Sequence, residues 1–173
     1  NLFNMPIATR TSPLAMAQSL DVQARLAKAH GEKDPEESFP ILGMTTTGDR
    51  ITDRALLLAG GKGLFTKELE RALLDGDARF AVHSMKDVPT TLPDGLEIAC
   101  VLEREDPRDT LLTRDGISRI EDLPQGATLG TASIRRQSQA LALRPDLNIV
   151  LLRGNVDTRL EKLNSGEVDA TFL

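Results

Sequence analysis

The sequence predicts an α/β fold built on mostly parallel sheets. Three observations carry that reading. Short apolar runs of β type alternate with helical runs along the chain, no repeat or low-complexity tract breaks the alternation, and cations recur where a β-type run hands over to a helix or loop. At 173 residues and 40% hydrophobic content the chain suffices for one large domain or two small ones. The segment EREDPRD, 103–109, is highly charged, contains a proline and has almost nothing to bury. It is expected to be a hinge between a first lobe, 1–102, and a second lobe, 110–173.

The expected strands are 5–9, 41–45, 79–85, 96–101, 110–113, 127–130, 148–152 and 168–173. The first helix follows 5–9: Ser12 can cap it, Pro13 suits its first turn, and Met16, Leu20, Ala24 and Ala27 line one face up to Gly31. Residues 46–63 are long and glycine-punctuated, and read as a mobile flap or a short irregular helix. A second helix spans 64–76 with Phe65, Leu69, Ala72 and Leu73 inward. Ser118 and Glu121 have the spacing of a capping box on a short third helix. The fourth starts near Ser133 and stops before Pro145, which cannot continue it. The fifth covers 155–164, with Gly166 as its stop.

Composition removes several classes of function. Aromatics are 3% with no Trp and no Tyr, and the net charge is −5, so nucleic acid is not an expected partner. A single cysteine, Cys100, permits no internal disulfide and no multi-cysteine metal site, which suits a reducing, cytoplasmic setting. No apolar run reaches the roughly 20 residues of a membrane span. A monomer is the default expectation.

The charges are the most informative feature. Arg10 follows MPIAT, Lys86 follows ARFAVHSM, Arg135 and Arg136 follow ATLGTAS, and Arg153 follows NIVLL. In a parallel sheet those strand ends share one edge, where ligands bind. Arg135 and Arg136 would also lie in the first helical turn, where each cation costs about 0.3–1 kcal/mol unless an anion neutralises it. Residues 131–160 carry Arg135, Arg136, Arg144, Arg153 and Arg159 against Asp146 and Asp157, while the whole chain is acidic. Arginine at Arg10, Arg135, Arg136, Arg153 and Arg159 favours two-point recognition of carboxylates, supplied either by the protein or by a ligand with several of them. Asp87, beside Lys86 at this edge, is placed to stabilise a cation forming on a bound substrate; the plain alternative is a Lys-Asp turn closed by Pro89.

Other motifs carry less. GGKGLFTKE lacks the phosphate-loop spacing, and His30 and His83 are too few and too isolated for a metal. His83 reads as a core residue, its neighbour Ser84 points to the opposite strand face, and Cys100 reads as a buried small apolar group.

Taken together, IATRTSPLA, GGKGLFTKELE, AVHSMKDVP, EREDPRD, GTASIRRQ and LRGNVDTRL closely resemble the porphobilinogen deaminase (hydroxymethylbilane synthase) family over essentially the whole chain. The resemblance implies two lobes like those of type II periplasmic binding proteins with a cleft between them, and a third α+β domain absent from this chain. It implies head-to-tail joining of porphobilinogen with release of ammonia, on a dipyrromethane cofactor attached to a cysteine beyond this chain. By the same resemblance Asp87 is the catalytic carboxylate. Arg10, Lys86, Arg135, Arg136, Arg153 and Arg159 hold acetate and propionate groups, Ser12, Ser84, Thr131 and Ser133 donate hydrogen bonds, and Lys62 and Phe65 border the cleft. Ala132 and Leu58 depart from the family pattern. A non-catalytic anion-binding module on the same two lobes is the alternative function.

Overall fold

The computed structural model describes residues 4–50 and 63–173. The chain divides into two compact units, 1–101 and 102–173. The first contains β1 (Ile7–Arg10), α1 (Pro13–His30), α2 (Pro35–Ser38), β2 (Ile41–Met44), α3 (Thr47–Arg50), α4 (Lys67–Asp75) and β3 (Phe80–Ala81), followed by a 3-10 turn, Met85–Asp87. The second contains β4 (Leu111–Thr113), a 3-10 turn at Ile120–Asp122, β5 (Thr128–Gly130), α5 (Ile134–Leu143), β6 (Asn148–Val150), α6 (Val156–Asn164) and β7 (Ala170–Phe172).

In the first unit the strand order is β2-β1-β3, all parallel, with Ile7 opposite both Ile41 and Phe80. Central β1 is flanked on both sides, and Ile7, Ala8 and Thr9 are fully buried. Leu69 and Ala72 of α4 pack on Ala8, and Phe39 with Ala27 packs on Ile7. Burying a side chain such as Leu69 contributes about 1.5–3 kcal/mol. Because the three strands run the same way, their C-terminal ends open on one edge.

The α1 boundaries follow from its caps. Ser12 accepts from the Ala15 amide, Pro13 opens the first turn, and Gly31 closes it at φ 69°. Its inward face differs from the apolar stripe expected. Leu20 is about half exposed and Ala24 is exposed, whereas Ser19, Gln23 and Ala27 are buried. Polar groups win this face because each finds a partner: Ser19 Oγ donates to the Ala15 carbonyl at 2.8 Å and accepts from Thr9 Oγ1 at 2.7 Å, and Gln23 Nε2 donates to the Phe39 carbonyl at 2.8 Å.

The second unit has the order β4-β7-β5-β6, with β7, β5 and β6 parallel and β4 antiparallel to β7. Leu129, Ala170 and Ala140 centre its core, and Leu152, Leu163 and Val168 form a second cluster. Antiparallel β4 brings its N-terminal end to the edge where the parallel strands end. Thr110 and Leu173 exchange both backbone bonds there, at 2.9 and 3.1 Å. Arg144 is a structural arginine: it pairs with Asp146 and donates to the carbonyls of Ile120, Glu121 and Leu123.

Several expectations are corrected. Residues 96–101 form no strand; Ile98 is 52% and Val101 71% exposed, because an alternating run is buried only against a partner and none pairs with it among the described residues. Cys100 is accordingly exposed rather than packed. The expected strand over 79–85 is two residues long, since the chain leaves the sheet after Ala81. Ser118 does not cap a helix; the 3-10 turn starts after Arg119, with no side-chain cap bond. Lys62, Leu58 and residues 51–62 of the expected flap lie outside the described residues.

Gln23→Leu keeps the side chain similar in size but replaces its amide with an apolar group and leaves the buried Phe39 carbonyl without its donor. Urea denaturation is expected to show a loss of about 1–3 kcal/mol; an unchanged midpoint would show that this bond contributes nothing.

Candidate active site

Each strand of the first sheet delivers one charged group to the shared edge. β1 ends at Arg10, the segment after β2 carries Asp49, and the segment after β3 carries Asp87. The chain turns back there because Asp87 N donates to the Ser84 carbonyl at 2.9 Å and Val88 N to the Met85 carbonyl at 3.1 Å. The 3-10 turn separates the two charges of the Lys-Asp pair: Lys86 is exposed, while the Asp87 side chain is 18% exposed.

Arg10 is the centre of this cluster. Its Nε donates to both Asp49 oxygens at 3.1 Å, a second guanidinium nitrogen also bonds Asp49 Oδ1, and Nη1 lies 3.6 Å from Asp87 Oδ2. The Phe65 ring lies under the guanidinium, 4.3 Å from centroid to Cζ. Thr46 holds Asp49 from behind through its amide at 3.1 Å and its hydroxyl at 2.7 Å. Burial raises the Asp49 carboxyl, but the bonds from Arg10 and Thr46 outweigh it and leave the pKa below the ordinary carboxylate value. Gly48 is required by close approach, because a Cβ there would stand 2.4 Å from the Phe65 ring.

Arg10, Ser12, His83, Ser84 and Asp87 line one small pocket with Val82 and Gln18. His83 therefore borders the pocket instead of belonging to the core. Burial holds its imidazole below the usual pKa against the opposing pull of Asp87, so it is neutral at pH 7.

The second unit gathers the other cations. After β5, Thr131 is buried and its Oγ1 accepts from Ser133 N at 3.1 Å; Ser133 caps α5 by accepting from Arg136 N at 3.3 Å. Arg135 and Arg136 then converge on Asp109, at 2.8 and 2.9 Å. Asp109 reaches them because antiparallel β4 starts at this edge. Those hydrogen bonds, from Arg135 first, hold the Asp109 carboxyl down at about 2. Arg136 also donates to the Phe172 carbonyl at 3.0 Å, and its Nε is buried without a hydrogen-bond partner among the described residues. Arg159 on α6 is half-buried; burial and then the like charge of Arg136 hold its guanidinium below the ordinary value. Arg153 is half-buried on the loop after β6. Gly154, at φ 125°, makes the following turn, and a Cβ there would meet Thr158 at 2.7 Å.

Thus Arg10, Ser12, Phe65, Ser84 and Asp87 are brought together in one unit, and Thr131, Ser133, Arg135, Arg136 and Arg159 assemble in the other. Sequence reasoning missed Asp49 and Asp109. The signal for Asp49 was present as the lone carboxylate of TTTGDR, whereas Asp109 needed the antiparallel course of β4. Chemically, the first cluster offers a recessed carboxylate, and the second offers guanidinium and hydroxyl donors suited to carboxylates. Among the described residues no group of three or more His, Cys, Asp or Glu is arranged to hold a metal ion, and no helix is long and apolar enough to cross a membrane.

Comparison with known proteins matches residues 5–173 to the family described as "Porphobilinogen deaminase, dipyromethane cofactor binding domain". Among similar curated proteins are the porphobilinogen deaminases of two strains of Caulobacter vibrioides, each 57% identical over 173 aligned residues, covering 96% of this chain and 53% of the relative. The chain therefore spans about half the length of the curated relatives it matches.

Because the Asp109 carboxyl lies below its unfolded value of about 3.9, its contribution to stability is fully present above that pH and is lost as pH falls toward about 2. Thermal melts of wild type and Asp109→Asn are expected to differ at pH 6 and to converge toward pH 2. A constant difference across that range would contradict the pairing.

Proposed function

The chain belongs to the porphobilinogen deaminase family, and from that premise we propose that it forms the substrate-handling part of a hydroxymethylbilane synthase. The reaction joins porphobilinogen units head to tail, releases ammonia at each step and gives linear hydroxymethylbilane for tetrapyrrole and haem synthesis. In this reading the two units are type II lobes facing a cleft, 103–109 is the hinge, and a third α+β domain carrying the anchoring cysteine lies outside this chain. One cysteine supports a cytoplasmic setting and the acidic balance a small-molecule rather than a nucleic-acid partner, with a monomer away from membranes as the default.

The carrying observation is the recessed Asp87 carboxylate in the 3-10 turn after β3, 18% exposed and 3.6 Å from Arg10. A pyrrole N–H is a donor that such a carboxylate accepts. As the bond to the departing ammonia breaks, the pyrrole nitrogen feeds electron density into the ring and acquires positive charge, which Asp87 stabilises without being neutralised. At about 4 Å and an effective dielectric near 20, that attraction is on the order of 4 kcal/mol. Where the charge exists only in the transition state, this is worth about 10³ in rate.

The residues also fit the cofactor. The buried, unsatisfied Arg136 Nε and the Arg136–Arg159 repulsion are both relieved by a carboxylate between them. Bound dipyrromethane supplies the free pyrrole carbon to which the incoming unit is joined. Arg135, Arg136, Arg153 and Arg159 hold its acetate and propionate groups and those of the substrate, with Thr131 and Ser133 adding hydrogen bonds. Arg10 and Lys86 also hold such groups, and Ser12, Ser84 and Phe65 border the substrate on the Asp87 side.

Asp87→Asn keeps shape and removes charge. Ammonia release from porphobilinogen is expected to fall by about 10³ with binding largely retained. Unchanged turnover, or tightened anion binding as the only effect, would favour a non-catalytic anion-binding module instead.

A further inference from the structure

Among the titratable groups of the Asp87 pocket, His83 alone has no part in the chemistry above. It follows β3, and the register that sets Ile7 beside Phe80 and Ala8 beside Ala81 reaches Arg10 beside His83 two residues on. Its ring lines the pocket with Asp87, Arg10 and Ser12, and no hydrogen bond to another described residue ties it down. Three charges face it: Asp87 from the 3-10 turn, Arg10 from the end of β1 and Glu70 from α4. Burial, aided by Arg10, outweighs both carboxylates and keeps the imidazole neutral at pH 7, so a ring nitrogen is free to accept a proton. The pocket encloses about 30 Å³, room for one water and not for a pyrrole ring. A substrate ring therefore stands at its mouth, with His83 in reach directly or through a single water.

Joining two pyrrole units needs such an acceptor. The substrate's aminomethyl group is protonated at neutral pH, as ordinary alkylamines are, and its carbon–nitrogen bond breaks with the electron pair leaving on ammonia. The new carbon–carbon bond forms at a ring carbon that still bears hydrogen, and that proton must leave for its C–H electron pair to restore the ring. Asp87 is poorly suited to take it, because a neutralised carboxylate cannot stabilise the next cation. An imidazole, with an ordinary pKa near 6.5, is matched to neutral pH.

We infer that His83 is the proton acceptor of the site: a ring nitrogen takes the proton from the carbon at which each unit is joined and passes it to the released ammonia, which departs as ammonium. This rests on the reading of Asp87 given above. Asp87 balances charge on the pyrrole nitrogen, and His83 completes bond formation.

The test compares wild type with His83→Gln and His83→Asn in the intact protein, with His30→Gln, at an exposed position of α1, as control. Each His83 variant is expected to lower kcat for ammonia release by about 10²-fold or more while KM stays within about twofold. In wild type kcat falls in acid, below about pH 6.5, as the imidazole protonates; that acid limb disappears in both variants. Porphobilinogen deuterated at its free ring carbon slows the variants more than wild type, since proton removal becomes the slow step. A readout without turnover is the ¹⁵N–¹H NMR titration of the His83 ring, expected at lower pH in Asp87→Asn than in wild type because Asp87 favours the imidazolium. It keeps His83 in place, so it stands whether or not the His83 variants fold. Unchanged kcat, a fall in kcat with the acid limb and isotope effect unaltered, or a His83 titration indifferent to Asp87→Asn would overturn the inference. If wild type itself releases no ammonia, the proposed function fails and the inference with it, whereas active wild type beside equally active His83 variants refutes the role of His83 alone.

Discussion

The pairing of Arg10 with Asp49 is the constraint on which the first unit's site depends. A guanidinium at the end of a buried strand needs compensation, since a lone charge removed from water costs several kcal/mol. The fold supplies it with two carboxylates of unequal roles. Asp49 is bonded at two points and braced by Thr46, whereas Asp87 approaches one nitrogen at 3.6 Å and keeps its other face toward the pocket. One carboxylate neutralises the arginine, and the second remains available for chemistry.

Sheet topology makes this arrangement possible. Three parallel strands with β1 at the centre end together, so groups at Arg10, Asp49 and Asp87, distant in sequence, meet at one edge. The second unit uses a variation. Its parallel strands β5, β6 and β7 end beside the start of antiparallel β4, which supplies Asp109 to Arg135 and Arg136. Placing two arginines in the first turn of α5 conflicts with the helix dipole, and Asp109 offsets that cost without consuming Arg159 or the buried Nε of Arg136.

Much of this was legible in the sequence where the physics is local. Ser12, Pro13 and Gly31 mark α1, Gly76 ends α4, and Ser133 and Asn155 cap α5 and α6, because caps and left-handed glycines act within a few residues. The cationic strand ends were legible for the same reason. What was not legible depends on distant partners. Counting apolar residues chose Leu20 and Ala24 for the inner face of α1, but Ser19 and Gln23 go inside because Thr9 and Phe39 offer them bonds across the fold. The alternation at 96–101 reads as a strand, yet no described strand pairs with it. Asp49 lies 39 residues from Arg10 and Asp109 lies 26 from Arg135, so neither pair has a signature in spacing.

The most direct measurement is a crystal structure of the protein with porphobilinogen bound. The account predicts the pyrrole nitrogen within about 3.2 Å of Asp87. A pyrrole nitrogen bonded elsewhere, with Asp87 making no contact with the ring, would contradict it.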